Sequence, residues 1–243
     1  MIYEEYGKNN NQIIVMLHGA NFVHTFGRQY TLSKKYRLIV PHLMGFGDDA
    51  NRVFDTDTAA NELAAFIAGF DTKVTLIGFS LGAQLGFKLI SDHPTLFNAA
   101  ILGSPWLLKE PSLVSEVVDA NLKQLSSLKN KWKCGFVGMM CGLPPKQVME
   151  FVRHMQNVSV ETIRNSADNG ITLDSIVGFE QVPFPVVALA GSLEEDVVKD
   201  SVKALAERNP NCRYEIWDNA AHNIPPVFSK RFNKLICDVV DSL

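Results

Sequence analysis

Lys73-Val74-Thr75-Leu76-Ile77-Gly78-Phe79-Ser80-Leu81-Gly82-Ala83-Gln84-Leu85-Gly86-Phe87-Lys88-Leu89-Ile90 is the stretch that decides the fold. Residues 73–77 form a short run suited to a buried strand, and residues 83–90 repeat apolar side chains at helical spacing. Between them stands Gly-Phe-Ser-Leu-Gly. A G-x-S-x-G segment takes its meaning from this strand–turn–helix setting. The sharp turn forces the serine backbone into a strained conformation and holds its hydroxyl clear of the sheet edge. Gly78 and Gly82 leave the room such a turn needs. At the N-terminus of the following helix, unpaired N–H groups and the dipole favour a developing negative charge. A chance Gly/Ser turn would contain the same letters, so the rest of the chain has to decide.

Outward from Ser80 the pattern repeats. Upstream, Gln12-Ile13-Ile14-Val15-Met16-Leu17 is a continuous apolar run, and Tyr36-Arg37-Leu38-Ile39-Val40 is a second one closed by Pro41. Thr25 to Lys35 predicts a short helix between them. Asp55 or Asp57 caps a helix carrying Ala59, Leu63, Phe66 and Ile67, which ends near Gly69. Downstream, His93-Pro94 stops the helix after Ser80, and Ala99-Ala100-Ile101-Leu102-Gly103 is the next strand. Strands alternating with helices in this way predict a doubly wound, mostly parallel α/β sheet. The alternation returns with a strand at 186–191, a helix at 197–208, a strand at 213–217 and a final helix from Pro225 to Val240.

Between Ser104 and Val182 the alternation stops. Leu113, Val117, Val118, Leu122 and Leu125 recur at helical spacing. Pro144-Pro145 opens a second helical stretch with Val148, Phe151, Val152 and Met155 on one face, and Val160 and Ile163 mark a third. The middle of this segment, Cys134 to Cys141, is soft and apolar. A helical insertion at approximately 104–178, after the strand at 99–103, predicts a cap over Ser80; plain packing helices are the alternative. No linker divides the chain, so residues 1–243 form one domain with this insertion inside it.

A serine hydroxyl needs a base, and the base needs an orienting acid. Six histidines are available. His24, His42, His93 and His154 fall in predicted loops or helix ends and are most simply surface or capping residues. His18 belongs to the loop after the first strand. His222 follows the last strand, in a small-residue loop just before the final helix, where the order Ser, acid, His places the base. After the strand at 99–103 no carboxylate occurs before Glu110. After Gly191 the chain runs Ser192-Leu193-Glu194-Glu195-Asp196. Glu194 has the expected spacing for the acid and Asp196 is the runner-up; any of the three carboxylates would also complement a helix N-terminus.

Taken together, the His18-Gly19 loop, the turn at Ser80, the acid turn after Gly191 and His222 before the last helix resemble the α/β-hydrolase family. The chain is most similar to its small bacterial serine hydrolases, with a short N-terminus that lacks the outer strands. The resemblance implies an oxyanion hole formed by the backbone N–H groups of Ala20 and Leu81. Two departures stand out. Where the family often has Asp-x-Pro-Gly-x-Gly-x-Ser, this chain has His42-Leu43-Met44-Gly45-Phe46-Gly47-Asp48-Asp49, and the family's acid is usually Asp where this chain offers Glu194.

Composition bounds the rest. A hydrophobic fraction of 47% with 20% charged residues excludes disorder, and a formal net charge of −3 gives no reason to expect nucleic acid or an anionic membrane as partner. The four cysteines have no zinc-site or C-x-x-C spacing and suit free thiols in a reducing cytoplasm. The first eleven residues lack the basic and apolar regions of a secretory leader, and no apolar run approaches a membrane span. The expectation is a cofactor-free, metal-free serine esterase acting on a small or medium apolar acyl substrate. A C–C hydrolase or lyase using the same Ser-His pair, or a slow-turnover ligand receptor, are the alternatives. The oligomeric state is not legible.

Overall fold

A computed structural model describes residues 1–141 and 143–243. Seven strands build one sheet: β1 (Tyr3–Tyr6), β2 (Ile13–Leu17), β3 (Arg37–Pro41), β4 (Val74–Phe79), β5 (Phe97–Gly103), β6 (Val186–Gly191) and β7 (Cys212–Trp217), in the spatial order β1-β3-β2-β4-β5-β6-β7. Every pairing is parallel except β1 with β3. β2, β4 and β6 are buried along their whole length, which explains why they are continuous apolar runs rather than alternating ones.

Alternate residues of each strand serve opposite faces. Val15, Leu17, Leu76, Leu102 and Ala188 pack on one side with α1 (Thr56–Ala68), α2 (Leu81–Asp92) and α7 (Asp196–Arg208). Ile14, Met16, Ile77, Ile101 and Leu189 pack on the other, beneath α9 (Ser229–Val240), whose Phe232, Leu235, Ile236 and Val239 face inward. α8 (Ile224–Val227) is a single turn just before it.

Three expectations need correction. The N-terminus supplies an outer strand after all: β1 runs antiparallel along β3, with Tyr3 opposite Pro41 and Tyr6 opposite Leu38. At four residues, two of them glutamates, it carries no hydrophobic pattern to read. The predicted helix at 25–35 is two short 3₁₀ turns, Val23–Phe26 and Tyr30–Lys34. The chain bends between them so that the buried Gln29 amide donates to Pro225 O (3.1 Å) and Asn233 Oδ1 (2.9 Å). The predicted helix from 225 to 240 breaks at Phe228 (φ −96°, ψ 32°), whose ring packs on Trp217 at 6.2 Å between centroids.

Among its described residues the insertion holds four helices: α3 (Pro111–Leu128), α4 (Lys131–Met140), α5 (Pro145–Asn157) and α6 (Val160–Ala167). The soft stretch at 134–141 is most of α4. Asn130 caps α4 by accepting from Lys133 N (3.1 Å), and Ser159 caps α6 by accepting from Thr162 N (3.0 Å). α6 is tied to the loop after β3, where Phe54 N donates to Thr162 Oγ1 (3.2 Å) and Asn165 donates to Phe54 O (2.9 Å). Asn169, just past α6, donates to Gln84 of α2 (2.9 Å). α4 packs on α5 and leaves Trp132 90% exposed. Among the described residues no helix is long and apolar enough to cross a membrane.

Candidate active site

Ser80 sits between β4 and α2 with φ +55° and ψ −117°, a left-handed conformation that non-glycine residues avoid. Its neighbours hold it there. Ser80 N donates to Gly103 O (2.8 Å). A Cβ on Gly82 would lie 2.0 Å from Leu17 O, so only glycine lets α2 approach β2 this closely. The turn is strained because the strand and the helix on either side are both fixed by packing.

The two loops beyond β6 and β7 are zipped together. Ser192 N donates to Trp217 O, and Leu193 N to Ala220 O, both at 2.9 Å. A Cβ on Gly191 would meet Ala220 O at 2.1 Å, so this close approach requires glycine. The zip sets Glu194 beside His222: Nδ1 of His222 lies 2.5 Å from Glu194 Oε1, and its Nε2 lies 3.0 Å from Ser80 Oγ. An ionised carboxylate only accepts hydrogen bonds, so Nδ1 carries the proton and donates it to Glu194. Nε2 is then left to accept from the Ser80 hydroxyl.

Glu194 is buried, its side chain only 2% exposed. Burial pushes its pKa up, but the hydrogen bond and charge of His222, the Gly191 N–H and the Ser104 hydroxyl outweigh this. The carboxyl is held below its ordinary value. Glu194 Oε2 accepts from Gly191 N (2.7 Å) and from Ser104 Oγ (2.8 Å). Ser104 was not singled out in the sequence. It follows β5 directly, with φ +52°, and the β5–β6 pairing brings it to Glu194. Asp196 is elsewhere: it opens α7, 90% exposed, and pairs with Lys199 at 2.8 Å.

His18 is fully buried and tethers its loop rather than facing Ser80. Its Nδ1 donates to Gly19 O (2.7 Å), and its Nε2 accepts from Leu43 N (3.1 Å). Burial pushes its pKa down to about 3. Three of the histidines read as surface or capping residues are buried instead: His24, His42 and His154 gather where α5 meets β1 and the loops after β2 and β3. Each packs against a partner far away in sequence, which spacing cannot show. His93 is exposed, as expected.

Ser80 and His222 open onto two lobes of one depression. The larger, about 540 Å³, is lined by Leu113, Val117, Ala120, Ala167 and Val198, with Glu116 and Glu195 among its polar residues. The smaller, about 290 Å³, is lined by Phe22, Leu128, Val137, Cys141 and Phe151. α3 contributes to both lobes, α6 to the first, and α4 and α5 to the second. Ala20 borders both lobes, and Leu81 borders the larger. The Leu81 N–H is the first of α2 and has no acceptor inside the helix.

Sheet order, a strained serine after the central strand, and partner loops after β6 and β7 define an α/β-hydrolase fold. Residues 12–227 match the family described as alpha/beta hydrolase fold, and the chain belongs to that family. Ethanol acetyltransferase 1 of Hanseniaspora uvarum is 27% identical over 213 residues, 70% of this chain. The match spans 60% of that curated relative's length. Among solved structures, MenH from S. aureus superposes with a TM-score of 0.75 at 21% identity, covering 99% of this chain and 98% of its own. The esterase EaEST from Exiguobacterium antarcticum gives 0.77 at 20% identity, covering 98% and 94%. At these identities the likeness to the two structures is one of fold.

Proposed function

We propose that the protein is a serine hydrolase that cleaves uncharged esters of small or medium apolar acids. One observation carries this reading: the hydrogen-bonded line Ser80 Oγ–His222 Nε2 and His222 Nδ1–Glu194 Oε1, at 3.0 and 2.5 Å. In the proposed reaction Ser80 Oγ bonds to the acyl carbon while His222 takes its proton. The collapsing intermediate expels an alcohol, which receives that proton from His222. Water, deprotonated by His222, then releases the acid and restores Ser80. Glu194 stays ionised and stabilises the imidazolium. The N–H groups of Ala20 and Leu81 are proposed to hold the oxyanion, each contributing about 3 kcal/mol of transition-state stabilisation. Residues from about 104 to 178 act as the cap, since α3–α6 wall both lobes. The lobes are apolar and the larger carries Glu116 and Glu195, which disfavours anionic substrates.

A fluorophosphonate probe should label the protein at Ser80, and p-nitrophenyl esters should be turned over with an optimum at short or medium acyl chains. Ser80→Ala should abolish labelling and lower turnover by several orders of magnitude with an unchanged fold. Wild-type turnover in Ser80→Ala would sink the mechanism. A second reading, transfer of the acyl group to an alcohol instead of water, is favoured by the likeness to a protein named as an ethanol acetyltransferase. Adding ethanol to the assay would separate the two: an ethyl ester accumulates if alcohol outcompetes water.

A further inference from the structure

We propose that Glu4, His24 and Glu150 form a binding site for a divalent transition metal, best suited to Zn²⁺, that clamps the helical insertion to the edge of the sheet. The three come from separate elements: Glu4 from β1, His24 from the first 3₁₀ turn and Glu150 from α5. His24 Nε2 lies 2.9 Å from Glu150 Oε2 and 3.9 Å from Glu4 Oε1. One ligand atom from each residue lies within 4.8 Å of the others. Tetrahedral Zn²⁺ with bonds of about 2.0–2.1 Å places its ligand atoms roughly 3.3 Å apart, so adjustments on the order of 1 Å bring the three into place and leave the fourth position to water. One imidazole and two carboxylates form a borderline donor set that suits Zn²⁺ better than Mg²⁺ or Ca²⁺. None of the three residues lines the Ser80 depression.

Outer partners already orient each ligand, as metal sites require. Tyr6 Oη donates to Glu4 Oε2. Tyr30 Oη lies 3.3 Å from His24 Nδ1, so with a metal on Nε2 the Nδ1 proton has an acceptor. Lys146 Nζ stands 3.9 Å from Glu150 Oε1. His42 supplies a separate pointer. Its Nδ1 accepts from Asp48 N (2.9 Å), so Nε2 carries the proton. That buried Nε2–H has no hydrogen-bond partner and faces Glu4 Oε1 at 3.7 Å. It is placed to fix Glu4 once the carboxylate shifts.

The neighbouring trio His42, Asp48 and His154 is the less fit candidate. The Asp48 N–H occupies the Nδ1 lone pair of His42, and the Asp48 carboxylate already pairs with Arg153 at 2.6 Å. No metal-site spacing announces Glu4, His24 and Glu150 in the sequence, because 126 residues separate His24 from Glu150.

The test uses the full chain, stripped with chelator, titrated with ZnCl₂ by calorimetry and melted with and without the metal. One Zn²⁺ should bind per chain and raise the melting temperature, because the metal binds only the folded state. Glu150→Gln and His24→Gln should each weaken binding more than ~10-fold and remove the thermal shift, and Tyr30→Phe should weaken it roughly 10-fold. Asp48→Asn should leave it unchanged. Circular dichroism checks that each variant folds, and Glu150→Gln, near-isosteric and partly exposed, keeps the test decisive if His24→Gln does not. Absence of stoichiometric binding by the wild type, undiminished binding by Glu150→Gln, or loss of binding in Asp48→Asn would each overturn the site. The readout is binding, so its failure leaves the reading of Ser80 untouched.

Discussion

Glu194 receives three hydrogen bonds, from His222, Gly191 and Ser104, and each favours its charged form. Replacing it by Gln should leave His222 in the wrong tautomer and cut kcat by up to ~10⁴ with a small change in melting temperature. Asp196→Asn should leave kcat intact, because that side chain points to solvent. Exchange of the two outcomes would assign the acid to Asp196. Ser104→Ala removes one donor from a buried carboxylate. The Glu194 pKa then rises, so the acidic limb of the kcat/KM profile should move to higher pH while kcat at its plateau falls only modestly. An unmoved limb would show that Ser104 merely packs. The grouping of Ser80, His222 and Glu194 was legible because each follows a strand at a short, regular offset. Ser104 was not, because its role depends on a residue 90 positions away. The same holds for His24, His42 and His154, whose partners no local pattern reveals.

Elements divide by the strength of their periodic signal. The buried strands, α1, α2 and α7 were readable because burial on both faces, or on one helical stripe, writes itself into the residue pattern. β1 and the break at Phe228 were not, since backbone pairing and aromatic packing decide them. Within the insertion, α6 is held by hydrogen bonds to the loop after β3, whereas α4 leans mainly on α5 and α3 and exposes Trp132, Phe136, Met139 and Met140. Limited proteolysis should therefore cut between residues 129 and 145 before it reaches the sheet. A covalent inhibitor on Ser80 should slow that cut, because Val137 and Cys141 wall the smaller lobe. Equal cutting with and without inhibitor would mean these helices do not act as a cap. On the opposite face, Phe232→Ala should cost about 3–5 kcal/mol in denaturant unfolding, since its fully buried ring packs on Phe26 and Trp217.

For the whole molecule, pH is the most direct probe of what has been buried. His18 is held neutral, its pKa pushed from 6.5 down to about 3 by burial, and burial also lowers that of His154. Between those values an unfolded chain binds protons that the folded one refuses. Stability is therefore complete above about pH 6.5 and declines as pH falls toward 3, by at most about 1.4 kcal/mol per pH unit for each such group. Melting temperatures that stay flat from pH 7 to pH 5 would contradict this account. The sheet order has another consequence, one of time. Helices form within about a microsecond. Pairing β5 with β6 must wait until the whole four-helix insertion has been looped out, and His222 meets Ser80 across 142 residues. During synthesis Ser80 leaves the ribosome long before His222, and the two meet once β7 has docked. If Ser80 and His222 act as proposed, the order of the chain keeps the pair apart until the sheet that joins them exists.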